Sequence, residues 1–111
     1  MVPGGLDPEL RALPAGTVLY NQYVTGGWLM LTYPELHPVV DERTEVYSLR
    51  YLDAYFASLQ VKRGWEETLR QSRATAAVLP EDSPLAFALT QQWRWRTVGH
   101  DQGFVLLVTG A

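Results

Sequence analysis

With 111 residues, 47% of them hydrophobic and 19% charged, the chain has the make-up of one ordinary globular domain. Its net charge of −3 excludes a general electrostatic attraction to nucleic acid or anionic lipid, leaving only a local basic patch at Arg94 and Arg96. Cysteine is absent, which excludes disulfides, thiolate metal sites and a cysteine nucleophile.

Residues 1–6 read as a linker or an added start, and residues 7–111 as a single α/β domain. The start, Met1-Val2-Pro3-Gly4-Gly5, lacks the basic and apolar regions of a signal peptide. No stretch reaches the ~18–20 consecutive apolar residues needed to span a bilayer. The chain is expected to be soluble as given, either free-standing or cut from something larger.

The elements follow in order. Asp7-Pro8-Glu9 predicts a short helix with Asp7 as N-cap, stopped at Pro14-Ala15-Gly16. Residues 17–23 predict a first strand, and Gly26-Gly27 opens a helix over residues 28–33. His37-Pro38 leads into a second strand over residues 39–42. The longest helix is expected over residues 45–62, with Leu49, Leu52, Phe56 and Leu59 as its buried stripe. Gly64 ends it, and residues 65–71 form a further short helix. Residues 74–79 are small and apolar and predict a buried third strand. Ser83-Pro84 caps a helix over residues 85–92. Residues 96–100 and 104–109 are the last two strands, joined by Asp101-Gln102-Gly103 as an antiparallel hairpin.

Strands one to four alternate with helices, which predicts parallel strands and right-handed crossovers. Phe104-Val105-Leu106-Leu107-Val108 is apolar on both faces and belongs inside the sheet, whereas the fourth strand is polar enough for an edge. The expected fold is a three-layer Rossmann-like domain. Its five-stranded sheet is mostly parallel, in order 2-1-3-5-4 or alternatively 2-1-3-4-5.

In such a sheet, ligands bind beyond the carboxyl ends of the strands, where the strand order reverses. Asn21, Gly26, Gly27, Asp41, Arg43 and Asp101 fall at that edge and are the candidate ligand-binding residues. Gly26-Gly27 either presents backbone N–H groups to an anion or makes a tight turn that brings helix against sheet. Gly27 is expected either to pack there or to need a positive φ. Asp41 and Arg43, two apart on a strand, either hold a polar ligand or pair with each other.

No complete catalytic constellation is present: there is no phosphate loop and no Gly-x-Ser-x-Gly elbow. Ser83 reads as a cap, and His100 beside Asp101 is the only base near an acid. His37 and His100 lack metal-ligand spacing, so no metal and no cofactor are expected. Tyr47, Tyr51 and Tyr55 recur every four residues beside the helix stripe, as a half-buried shoulder or a docking surface for a sugar, partner or membrane. Trp93 and Trp95 interleave with Arg94 and Arg96, but two of each in an acidic chain do not make a nucleic-acid surface.

The order of these pieces resembles the soluble C-terminal domain of multi-spanning bacterial membrane proteins of the glycosyltransferase C (GT-C) superfamily, relatives of lipid-phosphate-sugar-dependent mannosyltransferases and oligosaccharyltransferases. The resemblance rests on Asn21, Gly26-Gly27-Trp28-Leu29, Asp41-Glu42-Arg43, Tyr47, Gly64-Trp65, Leu69, Ser83-Pro84-Leu85-Ala86, Trp95 and Asp101, covering roughly residues 8–108. Glu42 departs from the pattern, which usually has glycine there. The resemblance implies an extracytoplasmic, non-catalytic accessory domain at a bacterial membrane. Its partners would be the transmembrane part of the same polypeptide and a glycan or lipid-linked sugar acceptor, with the sugar-transfer chemistry in the membrane-embedded part. It carries no catalytic residue onto this chain. The alternative is a free-standing α/β module that takes an anionic or sugar-like ligand at the Gly26/Asp41/Arg43 edge.

Overall fold

The computed structural model describes residues 3–40 and 48–109. Five strands form one open sheet: β1 (Val18–Asn21), β2 (His37–Pro38), β3 (Ala76–Pro80), β4 (Arg96–Asp101) and β5 (Phe104–Val108). Their order is β2-β1-β3-β5-β4, the first of the two expected orders. β1 pairs in parallel with β2 and with β3. β5 runs antiparallel to both β3 and β4, so β4 points the same way as β3 and the sheet is mixed. The β4–β5 hairpin turns on Gln102 and Gly103, whose φ values of 54° and 81° are those of a primed two-residue turn.

Among the described residues five α-helices accompany the sheet: α1 (Asp7–Arg11), α2 (Gly26–Thr32), α3 (Leu49–Leu59), α4 (Trp65–Ser72) and α5 (Pro84–Gln91). The alternation of strand side chains divides the core in two. Leu19, Ala76, Val78 and Leu106 pack with Leu6, with Leu10 of α1 and with Leu29 of α2. Tyr20, Ala77, Leu79 and Leu107 pack with Tyr55 of α3, Leu69 of α4 and Leu85 and Leu89 of α5. Helices therefore cover both faces. Ala76, Ala77, Val78 and Leu79 of β3 are fully buried, as a strand between two helical layers must be.

Several boundaries differ from expectation for identifiable reasons. The first strand stops at Asn21 and gives way to a 3₁₀ turn over Tyr23–Thr25. The second strand lies at His37–Pro38, ahead of the expected residues 39–42, of which 41 and 42 lie outside the described residues; Val39 N–H still donates to the Leu19 carbonyl at 3.0 Å. Asp7 opens α1 without capping it; its carboxylate instead accepts from Arg11 Nε at 2.9 Å and from the Tyr33 hydroxyl at 2.7 Å. Gly27 does not take a positive φ: Gly26 and Gly27 form the first turn of α2, and Gly26 has φ −60°. Gly64 does end the long helix in the left-handed region, at φ 92°.

The largest correction concerns α3. Ser48 caps it by accepting the Tyr51 N–H at 3.1 Å. The expected stripe holds only in part: Leu52 and Leu59 are half-buried, Leu59 against the core, but Leu49 is 80% exposed and Phe56 46% exposed, whereas Tyr55 and Ser58 are buried. Hydrogen bonds set this phase. The Tyr51 hydroxyl donates to the Val39 carbonyl at 2.5 Å and the Tyr55 hydroxyl to the Asn21 carbonyl at 2.7 Å, so the polar tips of the tyrosines tie α3 to the ends of β1 and β2.

Candidate functional site

Among the described residues, the candidates for binding a ligand are distributed, and Asn21, Gly26 and Asp101 have polar groups engaged within the fold. Asn21 is completely buried at the carboxyl end of β1. Its Nδ2 donates to the carbonyls of Val40 at 2.8 Å and Gln22 at 3.0 Å, and its Oδ1 accepts the Val40 N–H at 3.3 Å. The side chain acts as a short stretch of backbone, extending the β1–β2 pairing where β2 itself has ended. Gly26 is buried and its N–H donates to the Tyr23 carbonyl, so that group is not presented to an anion. Asp41 and Arg43 lie outside the described residues, as does Tyr47.

Asp101 ends β4, which is separated from β1 by β3 and β5. At ~4.8 Å per strand it stands about 14 Å from Asn21 across the sheet. Its Oδ2 accepts the Gly5 N–H at 2.9 Å, fastening the start of the described chain to the hairpin. His37 and His100 are both exposed. Among the described residues no three His, Asp or Glu side chains gather closely enough to hold a metal ion.

Three of the four tryptophans pack on one another. Trp65 and Trp93 have ring centroids 5.2 Å apart, Trp93 and Trp95 6.3 Å apart, and the Arg70 guanidinium lies 5.6 Å from the Trp93 ring centroid. Trp65 and Trp95 belong to the core, so their faces stack inside the protein.

What sequence reasoning missed is a half-open cavity of about 400 Å³ between α3, α4 and the sheet, within the size range of small-molecule sites. Its walls include the rings of Tyr20, Tyr51 and Tyr55, and Arg50 and Gln71 stand among its lining residues. The sequence signal was the Tyr51/Tyr55 pair at helical spacing, which reads as a half-buried shoulder or a docking surface and does not reveal a cavity. Beneath the cavity runs a hydrogen-bond chain. Ser58 Oγ donates its single proton to the Tyr55 carbonyl at 2.5 Å, so the Tyr20 hydroxyl is the donor to Ser58 Oγ. Burial pushes the Tyr20 phenol up to about 12 and holds Tyr55 well above the usual phenol range. Both stay protonated, as hydrogen-bond donors, at any physiological pH.

With the fold and these sites described, comparison with known proteins adds no relative: no protein-family model, curated protein or solved structure matches the chain.

Proposed function

We propose that this chain is a three-layer, Rossmann-like accessory domain of a GT-C-like integral membrane glycosyltransferase. It would sit on the extracytoplasmic face of a bacterial membrane and itself carry out no sugar transfer. The transmembrane part of the same polypeptide would be its partner, and a glycan or lipid-linked sugar acceptor would pass close by.

One observation carries the reading: the residues that match the GT-C pattern stand in this chain's order at positions that set the backbone. Asn21 bridges to Val40, Gly64 takes the left-handed conformation before α4, and Ser83 caps α5 by accepting the Ala86 N–H at 3.1 Å. Trp65, Leu69, Leu85, Ala86 and Trp95 fill one core and Leu29 the other. Residues that fix a fold are those that a shared architecture would retain when its chemistry lies elsewhere.

The coding sequence upstream of the Val2 codon tests this directly. An open frame carrying several ~20-residue apolar segments supports the proposal. A stop codon and a ribosome-binding site directly before Met1 would refute it.

The cavity between α3 and α4 favours a second reading, a free-standing ligand-binding module. The engaged groups of Asn21 and Gly26 would then place the ligand in the cavity and not at the carboxyl edge.

A further inference from the structure

The cavity between α3, α4 and β1 has a chemistry of its own, and most of it is already committed internally. All three phenols on its wall donate inward: Tyr20 to Ser58, Tyr51 to Val39 and Tyr55 to Asn21. The lining hydroxyls are engaged as well. Ser48 accepts from Tyr51 N–H, Thr68 donates to the Gly64 carbonyl at 3.2 Å, and Ser72 donates to the Leu69 carbonyl at 2.6 Å while accepting from Ala74 N–H. Tyr20 and Tyr55, 1% and 2% exposed with ring centroids 5.9 Å apart, form the closed floor of the cavity, and the exposed ring surface is that of Tyr51, 42% exposed.

Two lining side chains remain without a hydrogen-bond or ion-pair partner among the described residues, Arg50 and Gln71. Both are exposed. Arg50 is a permanent cation with a forked set of donors suited to a carboxylate or phosphate, and Gln71 adds an amide.

We propose that this cavity binds a small amphipathic anion: an apolar body of one or two rings against the exposed ring of Tyr51, above the floor made by Tyr20 and Tyr55, with its single acidic group at Arg50. The volume suits such a body, since a dry cavity of ~150 Å³ already holds one benzene ring. Commitment of the hydroxyls argues against a sugar as the occupant, because sugar recognition needs free donors and acceptors around the ring. This inference is independent of the glycosyltransferase reading and of the candidate residues at the sheet edge.

Naphthoate and its uncharged analogue naphthamide are the probes, titrated into the chain and followed by proton–nitrogen correlation spectra. Naphthoate should saturate at millimolar concentration or below, with shifts concentrated at Tyr20, Arg50, Tyr51, Tyr55 and Gln71. Arg50→Gln should weaken naphthoate by about fivefold and leave naphthamide unchanged, as loss of one partly exposed ion pair predicts. Ala54→Leu, which fills the cavity from α3, should abolish binding of both probes. The exposed Arg63, outside the cavity, supplies the control: Arg63→Gln should change nothing. The proposal fails if naphthoate does not saturate, if its shifts gather elsewhere, or if Arg50→Gln in a well-dispersed spectrum leaves its affinity unchanged.

Discussion

The side chain of Asn21 grips the backbone of Val40 from both sides, donating to its carbonyl at 2.8 Å and accepting its N–H at 3.3 Å, with both residues fully buried. An amide can do both at once because it carries a donor and an acceptor side by side on one planar group. Asn21→Ala leaves a buried N–H and a buried carbonyl unsatisfied and should cost about 2–3 kcal/mol. In thermal melts this is a fall of roughly 10 °C. Asn21→Asp keeps the shape but turns an acceptor toward the Val40 carbonyl, and should destabilise at least as much. A melting temperature close to the parent's in either variant would contradict the bridging role.

The buried phenols make stability sensitive to alkali. The Tyr20 pKa is raised by burial to about 12, whereas an unfolded tyrosine titrates near ~10. A raised folded-state pKa means stability that is complete below the unfolded value and lost as pH rises through the folded one. Urea midpoints should therefore fall between pH ~10 and about 12, with Tyr55 acting in the same direction. Tyr20→Phe should flatten that decline. Tyrosinate absorbance that reached its full value while the fold was intact would overturn the prediction.

Asp7 acts on the acid side. The Tyr33 hydroxyl and then the Arg11 guanidinium hold its carboxyl below the ordinary 3.8. A lowered folded-state pKa contributes stability above the unfolded value that is lost as pH falls through the folded one. The melting-temperature gap between the parent and Asp7→Asn should be open at neutral pH and close below pH 3.8.

Gly64 separates backbone strain from packing. Its φ of 92° lies in the left-handed region, yet an added Cβ would meet nothing within 4 Å. Gly64→Ala should cost about 1 kcal/mol through conformation alone. Gly64→Asn should cost less, because asparagine tolerates that region better. Equal losses for the two in chemical denaturation would point to a packing cause that the structure does not contain.

The sheet order was legible because the last two strands differ so plainly: Phe104–Val108 is apolar throughout, while Arg96–Asp101 carries Arg96, His100 and Asp101. Turn chemistry fixed the hairpin at Gln102-Gly103 and the break at Gly64. The phase of α3 was not legible from hydropathy. Counting Leu and Phe as the buried face misses that tyrosine can bury its ring when a distant carbonyl takes its proton, as the Asn21 carbonyl does for Tyr55. The role of Asn21 was hidden for a similar reason: a polar residue at a strand end reads as a ligand contact until its partner, nineteen residues on, is seen beside it. The cavity was hidden because its lining comes from β1, the segment after β2, α3 and α4 together.

The place of β5 between β3 and β4 governs when this protein can acquire its shape during synthesis. Among the described residues β4 has no strand neighbour other than β5, and β3 has one edge that β5 fills. A nascent chain that has emerged only as far as Asp101 therefore holds an incomplete sheet, with the backbone N–H and C=O groups of β3 unpaired along that edge. Residues 104–108 must clear the ribosome before either core can close. Folding of this domain during translation is thus withheld until β5 has emerged, and before that the emerging segment is a natural client for chaperones that shield exposed strands.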